Sequence, residues 1–112
     1  MAFNRSLEAY NQNPDVTALE PGEEAKAVNR TMTVLRFDDL AGTPLGMFSW
    51  FGVHCTSLHS DNKMIDPDNK GAAARQFEKR AQRAFERPGF VAGFCQGTAG
   101  DVSPSYRWDS KR

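Results

Sequence analysis

The amino-acid sequence predicts an α/β fold, a β-hairpin followed by a βαβ unit, belonging to a larger α/β domain. Three observations carry that expectation. Two apolar runs, residues 45–53 and 90–96, each bounded by turn residues, have the length and composition of buried strands. Between them, residues 71–87 place Ala73, Ala74, Phe77, Ala81, Ala84 and Phe85 on one helical stripe. Ahead of them, residues 31–37 are rich in β-branched and large apolar side chains and stop at Asp38-Asp39.

The elements follow in order. Residues 1–30 are polar and broken by Asn13-Pro14 and by Glu20-Pro21-Gly22, so they read as loop and short helix. The strand over 31–37 runs into a turn through Ala41-Gly42-Thr43-Pro44 and pairs as a hairpin with the run 45–53. That second run is nearly continuous in apolar residues, the pattern of a central strand covered on both faces. A long polar loop spans 56–69, and Asp68 or Asn69 at its end is a suitable N-cap. The helix over 71–87 keeps Arg75, Glu78, Lys79, Gln82, Arg83 and Glu86 largely outside its stripe and stops at Pro88-Gly89. It should cover the sheet through Phe77, Ala81 and Phe85. A third strand over 90–96 then lies parallel to the second, because a strand–helix–strand connection returns that way.

Composition narrows the function. The 112 residues, with 39% hydrophobic and 25% charged, suit one globular domain. Lys and Arg number 14, as do Asp and Glu, so the charge balance gives no sign of a nucleic-acid partner. The longest apolar run is interrupted by glycine and serine and falls far short of the ~20 residues that cross a bilayer. Residues 1–5 lack the apolar segment of an export signal. Cys55 and Cys95 read as two buried thiols acting as small apolar residues, since nothing in their spacing forces a bridge.

Topology then locates the chemistry. Ligands of open α/β sheets bind beyond the carboxyl ends of parallel strands, and two loops leave from those ends here. One begins His54-Cys55-Thr56-Ser57; the other runs from Gln96 to Pro104. His54 directly follows the second strand, where a metal ligand or a general base would be held rigidly. Taken alone, a histidine there is more often a hydrogen-bonded structural residue, and Ser103 before Pro104 is more often a turn former.

The combination is more specific. Asn4-Arg5-Ser6 with Ala9-Tyr10 and Asn13-Pro14, then Met32-Thr33-Val34-Leu35-Arg36-Phe37, then Trp50-Phe51-Gly52-Val53-His54 with Thr56-Ser57 stand in succession. Asp68-Asn69-Lys70-Gly71, Pro88-Gly89-Phe90-Val91-Ala92 and Gly100-Asp101-Val102-Ser103-Pro104 complete the series. In order and approximate spacing, over nearly all the chain, these blocks resemble the neutral ceramidases. Three departures stand out: Leu7 where proline usually follows Asn-Arg-Ser, Ser105 where asparagine usually follows Ser-Pro, and Ala72-Ala73-Ala74 in a usually more aromatic stretch.

The resemblance implies a zinc-dependent amide hydrolase acting on ceramide, with residues 1–112 a part of its catalytic domain, incomplete at both ends. It makes His54 a zinc ligand, Ser103 the nucleophile or a required active-site hydroxyl, and Arg5 a cation lining the site. Asp68, Asn69 and Gln96 are weaker candidates for support around the metal, with capping and loop roles preferred. The resemblance also implies a secreted or extracytoplasmic protein that meets a membrane surface through its substrate. Zinc needs three protein ligands, and the family takes the others from sequence outside this chain. His54 with the polar-loop His59 does not make up that number, and Ser103 has no identifiable His-Asp relay. Two other readings remain, a non-catalytic module on the same core and a metal-independent serine hydrolase. The chain alone is expected to be inactive and to self-associate.

Overall fold

The computed structural model describes residues 3–58 and 60–104; His59 and Ser105 lie outside them. Three strands form one sheet in the order β1 (Thr33–Asp38), β2 (Pro44–Phe51), β3 (Val91–Gln96). β1 and β2 are antiparallel, with Thr33 opposite Trp50 and Phe37 opposite Gly46. β2 and β3 are parallel, with Gly46 beside Val91 and Phe51 beside Gln96. The hairpin and the βαβ unit are both present, joined through the long helix α2 (Asp68–Ala84). The first thirty residues contribute one short helix, α1 (Leu7–Asn11), capped by the Ser6 hydroxyl, and a 3-10 turn at Glu24–Lys26.

The core is small. Met47 of β2, Ala92 of β3, Ala81 of α2 and Phe90 form it, with Phe94 against them. α2 packs on β3 rather than spanning the sheet. Of the expected stripe only Ala81 is buried; Phe77 remains 40% exposed, its ring 6.0 Å from those of Phe90 and Phe94. Phe85 is also half-exposed and meets Phe90 alone. Glu78, expected on the outer face, turns inward, and its carboxylate accepts from the Ala92 N–H at 3.0 Å. A carboxylate there satisfies a donor on the open edge of β3 that no further strand takes up.

β2 departs from the expectation of a strand covered twice. Met47 and Ser49 are buried on the helix side, while Phe48 and Trp50 on the other face are about two-fifths exposed. Leu35 and Phe37 of β1 and Val91 of β3 share that second face, and no described element lies over it. Phe48 packs edge-on against Phe37 and tilts against Trp50. A continuous apolar strand thus signals burial on two sides, but the described residues supply only one.

Both helix ends differ from the sequence reading. α2 starts three residues earlier, with Pro67 at the N-cap and no side-chain cap bond. Asp68 is its first residue, at φ 53°, and its carboxylate points back to the preceding loop instead of capping. At the other end the helix stops before Pro88. Glu86 takes the left-handed conformation at φ 50°, and the Arg87 N–H reaches the Gln82 carbonyl at 3.1 Å. That bond across the last turn is the Schellman closure, where glycine normally stands. Arg87 then pairs with Asp39 at 3.1 Å, tying the helix end to the β1–β2 turn. The N–H groups of Thr43 and Ala41, together with Arg87, hold the Asp39 carboxyl below its ordinary value.

A β-carbon at left-handed φ carries a steric cost of about 1–2 kcal/mol, part of which glycine returns as unfolded-state entropy. Glu86→Gly should therefore stabilise the chain by roughly 0.5–1 kcal/mol, read as a raised urea midpoint with an unchanged slope.

Candidate functional site

The site is built from the carboxyl ends of β2 and β3. Parallel pairing brings Phe51 and Gln96 side by side, and the Gly97 N–H continues the ladder to the Phe51 carbonyl at 3.0 Å. The two chains then run so close that a β-carbon on Gly52 would stand 2.3 Å from the Thr98 carbonyl oxygen. Only glycine admits that approach. Lys70, in the first turn of α2, donates to the carbonyls of Cys95, at 3.2 Å, and Phe51, at 3.5 Å, capping both strand ends at once.

His54 follows three residues after β2 ends, not directly after the strand, and it is half-buried. Its Nε2 lies 2.9 Å from the Ala99 carbonyl and 3.0 Å from that of Val102. Two acceptors require a proton on Nε2, which leaves the lone pair on Nδ1 as the basic or ligating position of the neutral ring. Nε2 is thereby excluded as the base for a neighbouring hydroxyl.

The same loop carries Ser103 and is bonded by the main chain of Arg5. Val102 is buried and bridges Asn4 in an antiparallel pair, the Ser103 N–H donates to the Phe3 carbonyl at 2.8 Å, and the Arg5 N–H donates to the Asp101 carbonyl at 2.8 Å. Residues 99–103 therefore bring Arg5, His54 and Ser103 together, although they are far apart in sequence. Asn4 anchors the amino-terminal strip. Only 3% exposed, it donates from Nδ2 to the Ala27 carbonyl at 2.8 Å, while its Oδ1 accepts from the Ser6 N–H at 2.8 Å. Leu7 opens α1 directly after it.

Other contacts went unassigned in the sequence. The Thr56 hydroxyl donates to the Pro104 carbonyl at 2.7 Å, so His54 and Thr56, two residues apart, hold the carbonyls on either side of Ser103. The alternation of an extended segment is the signal for that pairing. Asn69 donates to the His54 carbonyl at 2.9 Å, whereas the Gln96 side chain donates to the neighbouring Gly97 carbonyl. Both cysteines are free thiols, and neither is buried as expected: Cys55 is exposed and Cys95 half-buried.

The described residues do not by themselves fit a zinc ion. Among them no group of three or more histidine, cysteine, aspartate or glutamate side chains converges, and His54 offers one ligand. No helix among them is long and apolar enough to cross a membrane.

Similarity to known proteins identifies the family of the chain. Residues 1–110 match the model of the neutral/alkaline non-lysosomal ceramidase N-terminal domain. The chain belongs to that family. "Neutral ceramidase A" of Dictyostelium discoideum is 44% identical over 94% of this chain, and "Neutral ceramidase" of Pseudomonas aeruginosa is 42% identical over 91%. Among solved structures, "Ceramidase complexed with C2" superposes with a TM-score of 0.73 at 42% identity over 92% of the chain. The neutral ceramidase from Pseudomonas aeruginosa gives 0.74 at 39% identity over 99%. These likenesses establish the α/β fold as a piece of a larger ceramidase-type domain. The chain spans only about 15% of the length of the relatives it matches.

Asp68 supports the histidine loop electrostatically. Its carboxylate accepts from the Leu58 N–H at 2.9 Å, and from those of Ser57 and Asn69, which holds its pKa at about 2 against an ordinary 3.8. A depressed folded-state pKa contributes stability above the ordinary value that is lost as pH falls through the folded one. Asp68→Asn should therefore flatten the acid limb of the stability profile between about pH 4 and pH 2, measured by urea unfolding at each pH, and leave the profile above pH 6 parallel to the parent's.

Proposed function

We propose that this chain supplies part of the active site of a zinc-dependent amide hydrolase that cleaves ceramide to sphingosine and a fatty acid. The observation that carries this reading is the convergence of Arg5, His54 and Ser103 on the single loop 99–103. The names of the relatives, neutral ceramidases from several organisms, support the substrate class. Membrane contact follows from that substrate, which resides in a bilayer.

Each residue has a task suited to its chemistry. Ser103, half-buried and gripped through the carbonyls on both sides, presents its hydroxyl at a fixed place, as a group meeting an amide must be placed. Arg5 has its main chain pinned to Asp101 and its side chain exposed beside the same loop, and its task in this reading is to orient the amide oxygen or a sphingoid hydroxyl. His54 offers Nδ1 as one ligand. A catalytic zinc takes three from protein, so the remaining ligands belong to sequence outside the described residues, and the residues here act around the metal rather than forming its site.

A hybrid carrying residues 3–104 of this chain in place of the matching segment of the Pseudomonas enzyme tests the reading. N-acylsphingosine hydrolysis and bound zinc are measured together. Ser103→Ala should lower kcat by about a hundredfold or more while zinc stays bound, and His54→Ala should lose both. Equal zinc loss in the two variants would make Ser103 a structural residue. Activity that survives chelation would favour a serine hydrolase, and a folded hybrid without activity a non-catalytic module.

The chain by itself should neither bind zinc tightly nor hydrolyse ceramide. Titration calorimetry should show no one-to-one complex at micromolar affinity, because one imidazole does not hold the ion. Sedimentation should show self-association through the bare face of Leu35, Phe37, Phe48, Trp50 and Val91.

A further inference from the structure

The loop that delivers His54 is held at its far end by a turn of unusual construction. Asp68 sits at φ 53°, a conformation that costs any residue with a β-carbon. Three residues on, Gly71 leaves no space for a side chain, since a β-carbon there would lie 2.2 Å from the Pro67 ring. Pro67, Asp68 and Gly71 thus lock the start of α2 into one strained shape. Strain of this kind persists only where the surroundings determine it, and it gathers at functional sites.

That shape aims two side chains backwards over the loop. Asp68 takes the N–H groups of Ser57 and Leu58. Asn69 donates from Nδ2 to the His54 carbonyl at 2.9 Å and, more loosely, to the Ser57 hydroxyl at 3.4 Å, while its Oδ1 faces the Cys55 thiol at 3.6 Å. A normally capped helix would have spent its first side chain on its own N–H groups. This one gives a single bond to its own Asn69 N–H and turns the rest of its first two side chains to residues 54–58.

We propose that Asn69 is a positioning residue for His54, delivered by the strained Pro67–Gly71 turn. The inference rests on the proposed role of His54 and deepens it. The imidazole is fixed at its ring by the Ala99 and Val102 carbonyls and at its main chain by Asn69. With both ends of the residue held, the direction of Nδ1 is set. Without Asn69 the ring keeps its carbonyl partners while its backbone swings, and Nδ1 turns away from a fixed point. Outer partners that orient a ligating histidine are worth about ten- to a hundredfold in affinity or activity.

Asn69→Asp keeps the size and shape of the side chain, removes the donor and adds a charge, so it is paired with Asn69→Leu, of similar size and uncharged, and both tests require the same outcome. Hydrogen exchange read by mass spectrometry on the dilute 112-residue chain should accelerate by about tenfold across residues 54–58, with β2 and β3 unchanged. In the hybrid enzyme, kcat should fall about tenfold or more with KM within twofold, and the metal should be lost faster on dialysis. Asp68→Ala should reproduce the exchange effect through Ser57 and Leu58. Unchanged exchange at 54–58, or equal acceleration throughout the sheet, overturns the proposal, as does an active hybrid whose kcat ignores the substitution. Accelerated exchange in a hybrid that is inactive even with Asn69 intact upholds the positioning role and removes the hydrolase reading.

Discussion

The parallel pairing of β2 with β3 is the constraint on which the remainder of this structure depends. It places the ends of two strands, separated in sequence by the whole of α2, at one edge, so that Phe51 and Gln96 leave the sheet together. Once they do, the Gly52–Thr98 approach and the His54 ring bonds to Ala99 and Val102 have little freedom left. An antiparallel return would have put the second loop at the opposite edge. The site is thus a consequence of strand direction before it is a matter of individual side chains.

The imidazole has a double role in this frame. By donating from Nε2 it works as a structural strut between the two loops, and the bonds at Nε2 leave Nδ1 as the remaining nitrogen for chemistry in the neutral ring. The same economy shows in Thr56 and Asn69, which donate to the carbonyls of Pro104 and His54. Carbonyls are fixed by the backbone, so a side chain that bonds one inherits the rigidity of the fold. Ser103, flanked by two carbonyls held this way, gains its placement from neighbours rather than from its own contacts alone.

Much of this was legible in the amino-acid order. Strand, turn, strand, helix and strand follow from local periodicity, which depends only on side chains near in sequence. The two loops that carry His54 and Ser103 could be located because they leave the carboxyl ends of β2 and β3, while the roles of the two residues came only from resemblance. The exposure of Phe77 and Trp50 was not legible, since burial depends on what lies across a face and apolar residues look alike either way. The start of α2 misled for a different reason. Asp68 has the composition of a cap, but its left-handed backbone sends the carboxylate to Ser57 and Leu58, contacts no local pattern encodes. Arg5 could be placed only by resemblance, because its link to Asp101 joins the two ends of the described chain.

That link has a kinetic meaning. The contacts among Phe3, Asn4 and Arg5 on one side and Asp101, Val102 and Ser103 on the other span nearly the full length of the described residues, and closing so long a loop carries the largest entropy cost in the molecule. The hairpin and the helix–strand packing form between nearer neighbours and come together sooner. The pairing around Ser103 therefore leans on the sheet that brings the two ends of the described chain near each other. A partly folded chain that has only the hairpin and the helix still lacks the strip of residues 3–5 against the loop 101–103.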